Sequence, residues 1–365
     1  MYDLNEVFIR LIYTSLNIFF KSDILGNNNN SLHWVLASSI LNRSAMRGSV
    51  KPELSQLAIS GLGNSFLLFG PSEVDQGPYA GTYSPFENVP DASLKEIENI
   101  VSIFPTRNAL SISQDRIKEK QFFNNLNLKT VQYAPVDTFE DFSASIAQIK
   151  IPSILKTCRQ GYDGKGQLLI TKNTTKREIE KHLLLGPCIL ESFIDFNKEV
   201  SVVLARNQSG QVVSFDPGEN IHRAGILQST IIPARIPKMV QIDVVIIAGK
   251  IINALEYVGV LGVETFLSHQ NEIIINEIAP RVHNSGHLTI NAYNVSQFEN
   301  HVRAVCSLKQ ISLEKKSNAE MINLIGDQIV PFRENLKIND NQFFFDYLKK
   351  DIKEKRKMGH LTILK

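Results

Sequence analysis

The sequence has few cysteines, almost no net charge and no long uninterrupted apolar run. Its three cysteines, Cys158, Cys188 and Cys306, are far apart and lack the short paired spacings of a zinc site or a disulfide framework. Lysine and arginine total 39 against 37 acidic residues, so a formal charge of +2 gives no broad footprint for nucleic acid or an anionic membrane. We therefore expect reduced thiols, a cytoplasmic location, no nucleic-acid partner, and phosphate binding that is only local.

The apolar stretch at residues 8–20 is a poor candidate for a membrane span. Polar residues interrupt it, Arg10 and Asn17 among them, and it is shorter than a bilayer requires. It also lacks a basic leader and a small-residue cleavage site. We predict no membrane partner and no export signal.

The length and composition are those of a folded, enzyme-sized protein. The 365 residues suffice for two or three subdomains of roughly 100 to 150 residues each, with room for a cleft between them. Hydrophobic residues make up 43% and charged residues 21%, which argues against a largely disordered chain. The first eighty or so residues show no repeating pattern of strands and helices, whereas the sequence after residue 85 shows one.

Apolar patterns after residue 85 predict a mixed α+β architecture. A capping box of Ser111 and Gln114 is predicted to open a helix that places Arg116 and Lys120 one turn apart, where both cations can reach one anion. We predict helices at 114–126 and 296–307, and strands at 152–157, 168–171, 188–193, 199–206, 211–215, 262–268 and 273–279.

Two glutamates, Glu264 and Glu277, are predicted to face each other across a hairpin. With a four-residue turn at 269–272, counting outward along both strands places them directly opposite, on one face of the sheet. Like charges at that separation repel unless a cation lies between them, and carboxylates suit Mg²⁺, to which Asn276 can add a neutral oxygen. An exposed hairpin that carries glutamates fits the pair equally well.

A glycine-rich loop at 161–167 joins two predicted strands. It is neither a P-loop nor a dinucleotide fingerprint, because each of those opens a helix. The amides of Gly161, Gly164 and Gly166 can approach a polyphosphate closely, and Lys165 supplies a positive charge, so a flap over nucleotide is one interpretation. An ordinary hairpin connection is the other, and for the loop alone it is favoured.

Lys156 lies inside an apolar strand, where burial penalises an unpaired ammonium and an anion is needed. A lysine whose amine reaches solvent also fits.

The segment 276–287 is dense in hydrogen-bonding side chains directly after a buried strand, and Arg281 can hold a phosphate through its planar fork. We interpret it as a binding loop. The basic run at 353–357 is either a solvated surface or a second anion subsite.

The motifs occur in an order that resembles the 5-(carboxyamino)imidazole ribonucleotide synthase family of ATP-grasp ligases. They are GYDGKGQ (161–167), LESF (190–193), GVLGVETF (259–266), INEIAPRVHNSGH (275–287), SQFENHVRA (296–304), MINLIGD (321–327) and KMGH (357–360). The similarity runs from about residue 85 to residue 360. It implies an ATP-grasp fold of α+β and α/β type, with nucleotide between two antiparallel sheets, a preceding Rossmann-like domain and a small carboxyl-terminal subdomain.

The resemblance also implies roles for residues at matching positions. Glu191 to Ile194 would form the adenine hinge, Glu199 would hold the ribose, and His222 would line the same pocket. Nucleotide contacts are implied for Arg116, Lys156, Gly161, Tyr162, Asp163, Gly164, Lys165, Gly166, Gln167, Glu191, Ser192, Phe193, Ile194, Glu199, His222, Asn276 and Glu277. Magnesium is implied at Glu264 and Glu277, and the candidates for holding ribonucleotide and carboxyphosphate are Arg281, His283, Asn284, Lys355 and Arg356.

The family reaction joins bicarbonate to 5-aminoimidazole ribonucleotide in purine (IMP) biosynthesis and converts ATP to ADP and phosphate. Bicarbonate is too poor an electrophile for a weak aromatic amine, so its phosphorylation to carboxyphosphate supplies a leaving group, with Mg²⁺ and cations offsetting charge on the moving phosphoryl group. The resemblance therefore implies ATP and Mg²⁺ as cofactors, bicarbonate and the ribonucleotide as substrates, and a homodimer.

The amino-terminal region departs from the family pattern. The expected glycine-rich GGGQLG-type turn is missing near residue 10, and SGLGN at 60–64 is a weak substitute. We expect a divergent or incomplete amino-terminal domain at 1–110, through divergence or a shifted reading frame upstream of residue 84. We also predict an ATP-grasp domain at 111–308 and a small, truncated carboxyl-terminal subdomain at 309–365.

Three functions remain open on the sequence. The first is an active ligase, favoured by Lys156, Glu264 and Glu277. The second is a degenerate relative that binds nucleotide without efficient catalysis, favoured by the missing turn. The third is another ATP-grasp enzyme, such as a formate-dependent transferase or a biotin carboxylase, which the NSGH and SQFE motifs weaken.

Overall fold

The computed structural model describes residues 102–159 and 166–365, together with Lys95 and two short strands at 58–60 and 65–67. Most of the predicted amino-terminal domain lies outside the described residues, and so do residues 61–64 of the glycine-containing segment. The first five residues of the glycine-rich loop, 161–165, also lie outside them.

The strands of the described residues form three sheets. A three-stranded sheet has the order β1-β2-β3, with β1 (Ala58–Ser60) antiparallel to β2 (Ser65–Leu67) and β2 parallel to β3 (Ser102–Phe104). A four-stranded antiparallel sheet has the order β4-β7-β5-β6, from β4 (Tyr133–Val136), β5 (Ser153–Thr157), β6 (Gln167–Ile170) and β7 (Cys188–Ser192).

The third sheet has nine antiparallel strands in the order β13-β12-β8-β10-β11-β14-β16-β15, with β9 paired to β8. Its members are β8 (Lys198–Arg206), β9 (Val212–Ser214), β10 (Gly218–Arg223), β11 (Ile226–Ile232), β12 (Gly259–Leu267), β13 (Ile273–Ala279), β14 (Ala319–Ile325), β15 (Gln342–Asp346) and β16 (Lys357–Leu364). The predicted mixed α+β architecture is confirmed.

Helices cover the sheets, and none of those in the described residues is long and apolar enough to cross a bilayer. They are α1 (Arg107–Ser113), α2 (Arg116–Asn125), α3 (Phe139–Ile149), α4 (Lys176–Leu183), α5 (Lys238–Ala254), α6 (Thr289–Ala292), α7 (Gln297–Val305) and α8 (Val330–Glu334).

The large sheet is buried on both faces because the residues of β8 alternate between two apolar clusters. Val202 and Leu204 pack with Val244 and Ile251 of α5, whereas Val203 belongs to the cluster on the other face. The four-stranded sheet has its own core, in which α3 and α4 cover β4, β5 and β7. Burial of this apolar area holds each helix to its sheet.

The predicted helix at 114–126 is present as α2, but the predicted capping box is wrong. Ser111 lies inside α1, and the residue that begins α2 is Asp115. The Asp115 carboxylate accepts hydrogen bonds from the backbone N–H groups of Ile117 and Lys118, at 3.1 and 3.3 Å. The cap of α2 is thus an aspartate that satisfies two otherwise unpaired amides at the helix start.

The predicted pairing of Glu264 with Glu277 is confirmed, although the count that led to it was wrong at two points. The turn is longer than assumed, so Leu267 pairs with Ile273. A β-bulge then inserts Asn276 as an extra residue of β13 and brings Glu277 back opposite Glu264. The two errors cancel.

A short segment after α2 joins the two larger sheets. Thr130 forms a parallel bridge with Ile275 of β13, while the Gln132 carbonyl accepts the N–H of Ser192 at the end of β7. Helix α2 therefore lies where the edge of the nine-stranded sheet approaches the four-stranded sheet, and its side chains can reach both.

Candidate active site

Helix α2 carries cations to both sheets. Arg116 Nη1 donates to Glu277 Oε2 at 3.0 Å, on the edge strand of the large sheet. Lys120 Nζ donates to the carbonyl of Asn276 at 2.7 Å and lies 3.5 Å from Glu191 Oε1 in the small sheet. Arg116 and Lys120 thus contact different carboxylates of the protein, and the expectation that both can reach one anion stays a prediction.

Lys156 and Glu191 form a buried ion pair between β5 and β7. Lys156 Nζ lies 2.5 Å from Glu191 Oε2. Burial lowers the pKa of Lys156, against the attraction of Glu191. Burial also opposes ionisation of Glu191, but Lys120 and Lys156 hold its pKa at about 2. The anion that the buried lysine required is thus a carboxylate of the protein, and Glu191 stays ionised at neutral pH.

A second cluster lies on β8, β10, β12 and the loop after β13. His283 Nε2 contacts Glu264 Oε1 at 3.0 Å, and His222 Nδ1 is hydrogen-bonded to Glu199 Oε2. Burial disfavours charge on Glu264, but the hydrogen bond and charge of His283 hold its pKa at about 2. Burial likewise works against charge on His222, and Glu199 outweighs it and raises the pKa. The site therefore places two carboxylates beside imidazoles, and that of Glu264 stays ionised at neutral pH.

The loop after β13 is organised by Gln297 at the start of α7. Gln297 is fully buried, accepts the His283 N–H at 2.9 Å, and donates to the His283 carbonyl at 2.7 Å and to His287 Nδ1 at 2.9 Å. Gly286 permits this approach, because an added Cβ would lie 2.6 Å from Gln297 Oε1. The histidines of the predicted binding loop are therefore held in fixed positions.

The other side chains of this loop face buried polar partners. Asn284 Oδ1 accepts from Asn323 Nδ2 at 2.6 Å, and Ser285 Oγ lies 2.7 Å from both Ser201 Oγ and His283 Nδ1. Arg281 Nη1 donates to the Val282 carbonyl at 3.0 Å. Burial, followed by the positive charge of His283, lowers the pKa of His287 to about 3, so this imidazole is neutral at physiological pH.

The predicted basic residues near the carboxyl terminus differ in their exposure and in their contacts. Lys355 is exposed, and Arg356 donates to the Asp351 carbonyl at 3.2 Å. Lys357, the first residue of β16, is the basic residue whose charge acts on Glu264 and on the two nearby histidines. The predicted basic run at 353–357 includes Lys357, whereas the candidates for holding ribonucleotide and carboxyphosphate ended at Arg356.

The predicted hinge and the described part of the glycine-rich loop lie along the small sheet. The side chain of Phe193 is 48% exposed, and its N–H donates to the Pro152 carbonyl. Gly166 has a φ of +68°, and its carbonyl accepts the Thr157 N–H at 2.9 Å. Gln167 begins β6, whereas Ile194 follows β7.

The candidate site residues taken from the sequence did not include Glu119, Gln297 or Lys357. The spacing of Glu119 from Arg116, three residues along one helix, was an available signal. Gln297 lies in the SQFE motif that carried the resemblance, and Lys357 lies in KMGH. Their partners are distant in sequence, so no local pattern defines what they contact.

The donor set at Glu264 and Glu277 suits magnesium that also binds phosphate. No group of three or more His, Cys, Asp or Glu side chains in the described part of the chain could hold a metal by itself. Two opposed carboxylates, one of them 39% exposed, fit Mg²⁺, which commonly takes one or two carboxylates and completes its shell with phosphate and water.

Two antiparallel sheets with these charged groups at their meeting define an ATP-grasp protein. The ATP-grasp domain model matches residues 121–298, and the model of the phosphoribosylaminoimidazole carboxylase C-terminal domain matches residues 319–365. The fold predicted from the motifs is confirmed.

The relatives narrow this class to one family. The chain is 36% identical over 280 residues to N5-carboxyaminoimidazole ribonucleotide synthase of Bacillus subtilis, covering 77% of this chain and 74% of the relative. It is 40% identical over 282 residues to that synthase of Brucella melitensis, covering 77% and 78%. The Aspergillus clavatus synthase in complex with ADP and 5-aminoimidazole ribonucleotide superposes with a TM-score of 0.71 at 28% identity, covering 76% and 75%.

This chain belongs to the N5-carboxyaminoimidazole ribonucleotide synthase family. It is accordingly an ATP-dependent ligase of purine biosynthesis. The predicted family is confirmed, whereas the predicted domain boundaries and the roles of individual residues stay predictions.

Proposed function

We propose that this chain carboxylates 5-aminoimidazole ribonucleotide with bicarbonate, using MgATP at the meeting of its two larger sheets. The observation that carries the proposal is the opposition of Glu264 and Glu277 on adjacent strands, with Arg116 bound to Glu277 at 3.0 Å. The Aspergillus clavatus relative, in complex with ADP and 5-aminoimidazole ribonucleotide, supports the same pair of ligands here.

The chemistry proceeds in two displacements. An oxygen of bicarbonate attacks the γ-phosphorus of ATP, the bond to the bridging oxygen breaks, and ADP leaves with that electron pair. The amine nitrogen of the ribonucleotide then attacks the carbon of carboxyphosphate. Phosphate departs, the amine loses one proton, and the carbamate product forms. Neither step changes an oxidation state.

The cations of α2 and β5 stabilise charge on the transferring phosphoryl group. Arg116 would contact the phosphates, whereas Lys120 and Lys156 keep a positive field at the junction even though Glu191 neutralises part of it. Magnesium, when bound between Glu264 and Glu277, supplies further charge neutralisation for the phosphates.

The remaining predicted residues divide into those that would hold the nucleotide and those that would hold the ribonucleotide and carboxyphosphate. The hinge 191–194, the glycine-rich loop 161–167, Glu199 and His222 would hold the nucleotide. The loop residues Arg281, His283 and Asn284 would hold ribonucleotide and carboxyphosphate with Lys355, Arg356 and, in addition, Lys357. Fixed hydrogen bonds from Gln297 to the His283 backbone support this role, because a preorganised loop loses less entropy on binding.

A homodimer in the cytoplasm is the assembly and location that we infer for the enzyme. An exposed apolar stripe on α5 supports the dimer: Met239, Ile242 and Ile246 recur at helical spacing and are 66%, 41% and 62% exposed.

Release of ADP with Mg²⁺ and bicarbonate, measured with and without 5-aminoimidazole ribonucleotide, tests the proposal. We expect the ribonucleotide to stimulate ADP release in the wild type. Glu277→Gln should abolish Mg²⁺-dependent turnover and leave the fold intact, because the amide cannot replace a charged ligand of the metal.

Glu272→Gln is the matched control. Glu272 lies at the turn of the same hairpin, is half exposed, and is paired with Lys129. The Glu272→Gln variant should retain full turnover. Nucleotide binding without turnover in the wild type would contradict the proposal and favour a degenerate relative, and unchanged turnover in Glu277→Gln would remove Glu277 from the metal site.

A further inference from the structure

Strand β13 is an edge of the nine-stranded sheet, and its outward backbone groups are bound by α2 and the segment that follows it. The N–H of Ile275 donates to the Lys129 carbonyl at 2.8 Å. The N–H of Ile278 donates to Glu119 Oε1, also at 2.8 Å. An edge strand otherwise leaves such groups to solvent or to another chain.

The spacing of these two amides shows that α2 contacts the bulge itself. In a regular antiparallel strand, N–H groups that point to one side recur every second residue. Ile275 and Ile278 are three residues apart, which is the spacing expected when the bulge inserts one additional residue. That residue is Asn276, and its carbonyl accepts from Lys120 Nζ at 2.7 Å.

Three side chains of one turn of α2 thus contact three consecutive residues of β13. Lys120 binds the backbone of residue 276, Arg116 binds the side chain of residue 277, and Glu119 binds the backbone of residue 278. The side chains of Glu119 and Lys120 are almost fully buried, so water does not readily replace either contact.

We propose that Glu119 and Lys120 are positioning residues that fix the β13 bulge and thereby hold Glu277 opposite Glu264. Without the bulge, the register set at the turn would move Glu277 by one residue, and its side chain would leave the face that carries Glu264. The effect on catalysis rests on the magnesium role proposed above, whereas the effect on the strand does not.

Two variants of Glu119 separate its hydrogen bond from its bulk. Glu119→Gln keeps an oxygen that accepts the Ile278 N–H, whereas Glu119→Leu removes it at similar size. Hydrogen exchange of the full, nucleotide-free chain should show faster exchange at Ile278 in Glu119→Leu and near wild-type exchange in Glu119→Gln. Lys120→Met, which loses the contact to Asn276, is a second variant that should resemble Glu119→Leu.

A binding measurement then connects the strand to the metal site. The Mg²⁺ concentration needed for half-maximal stabilisation of the chain by ADP should rise tenfold or more in Glu119→Leu and Lys120→Met, since loss of a ligand's supporting contact typically weakens metal affinity about 10- to 100-fold. Glu119→Gln should restore it to near the wild-type value.

Asn294→Leu is the matched control for loss of a side-chain contact to backbone. Asn294 binds the Ser312 carbonyl and the Glu314 N–H, both at 2.9 Å, away from β13. It should lower stability without changing the Mg²⁺ requirement. Wild-type exchange at Ile278 together with a wild-type Mg²⁺ requirement in Glu119→Leu would overturn the proposal.

Failure of the proposed function would look different. The wild type itself would then release no ADP with Mg²⁺ and bicarbonate, while the exchange of Ile278 in the variants would still test the contact between α2 and β13.

Discussion

His301 is a buried imidazole of α7 that should make stability depend on pH. Its Nδ1 accepts the Val260 N–H at 3.0 Å, and burial lowers its pKa to about 4. In an unfolded chain the value is about 6.5. Between these values the unfolded state binds a proton that the folded state does not, so the free energy of unfolding falls as pH falls.

His301→Asn isolates this contribution, because its amide oxygen can accept the same N–H and does not titrate. Between pH 7 and pH 5, the wild type should lose about 2 kcal/mol more of its free energy of unfolding than the variant. Urea denaturation at both pH values measures the difference. His287 titrates in both proteins and cancels in the comparison, so equal losses would show that His301 does not carry the effect.

The contacts of single residues could be predicted from the sequence only in part. The requirement of Lys156 for an anion followed from its place in an apolar strand, yet its partner Glu191 is 35 positions away. Nothing local couples those two positions. The same holds for Glu119 of α2, whose partner Ile278 lies 159 positions away on β13.

At the scale of elements, the cap of α2 should affect both stability and catalysis. Asp115→Ala removes the acceptor for two amides and should lower the free energy of unfolding by about 1 kcal/mol. Since α2 carries Arg116, Glu119 and Lys120 to β13, we also expect a severalfold loss of turnover. Denaturation and ADP release measure the two effects.

Thr175→Ala at the start of α4 is the control for this prediction. Thr175 caps α4 through the N–H of Glu178, and α4 packs on the small sheet away from the charged groups. It should lose comparable stability and keep its turnover. Equal turnover in the two variants would show that the position of α2 does not matter for catalysis.

The hairpin of β12 and β13 shows why elements are easier to predict than register. Apolar alternation identified both strands, and the bounds of β13 agree with the prediction. Ser268 Oγ accepts the N–H groups of Gln270 and Glu272 within the turn, and Lys120 contacts the bulge residue Asn276. The alternation of apolar residues encodes neither the turn length nor the bulge. The correct pairing of Glu264 with Glu277 therefore owed something to compensating errors.

At the scale of the whole molecule, motifs rather than periodicity identified the fold. The similarity begins near residue 85, and the relatives align with about three quarters of the chain. Segment 129–132 and helix α2 each contact both of the larger sheets. The charges of α2 consequently lie where both sheets can contribute ligands to one nucleotide.

The most direct test of the proposed reaction is the fate of bicarbonate oxygen. With ¹⁸O-labelled bicarbonate, MgATP and 5-aminoimidazole ribonucleotide, mass spectrometry of the inorganic phosphate measures whether an oxygen has moved from carbon to phosphorus. The carboxyphosphate route predicts one ¹⁸O in each phosphate, with one ADP formed for each carboxylated product. Phosphate without the label would contradict it.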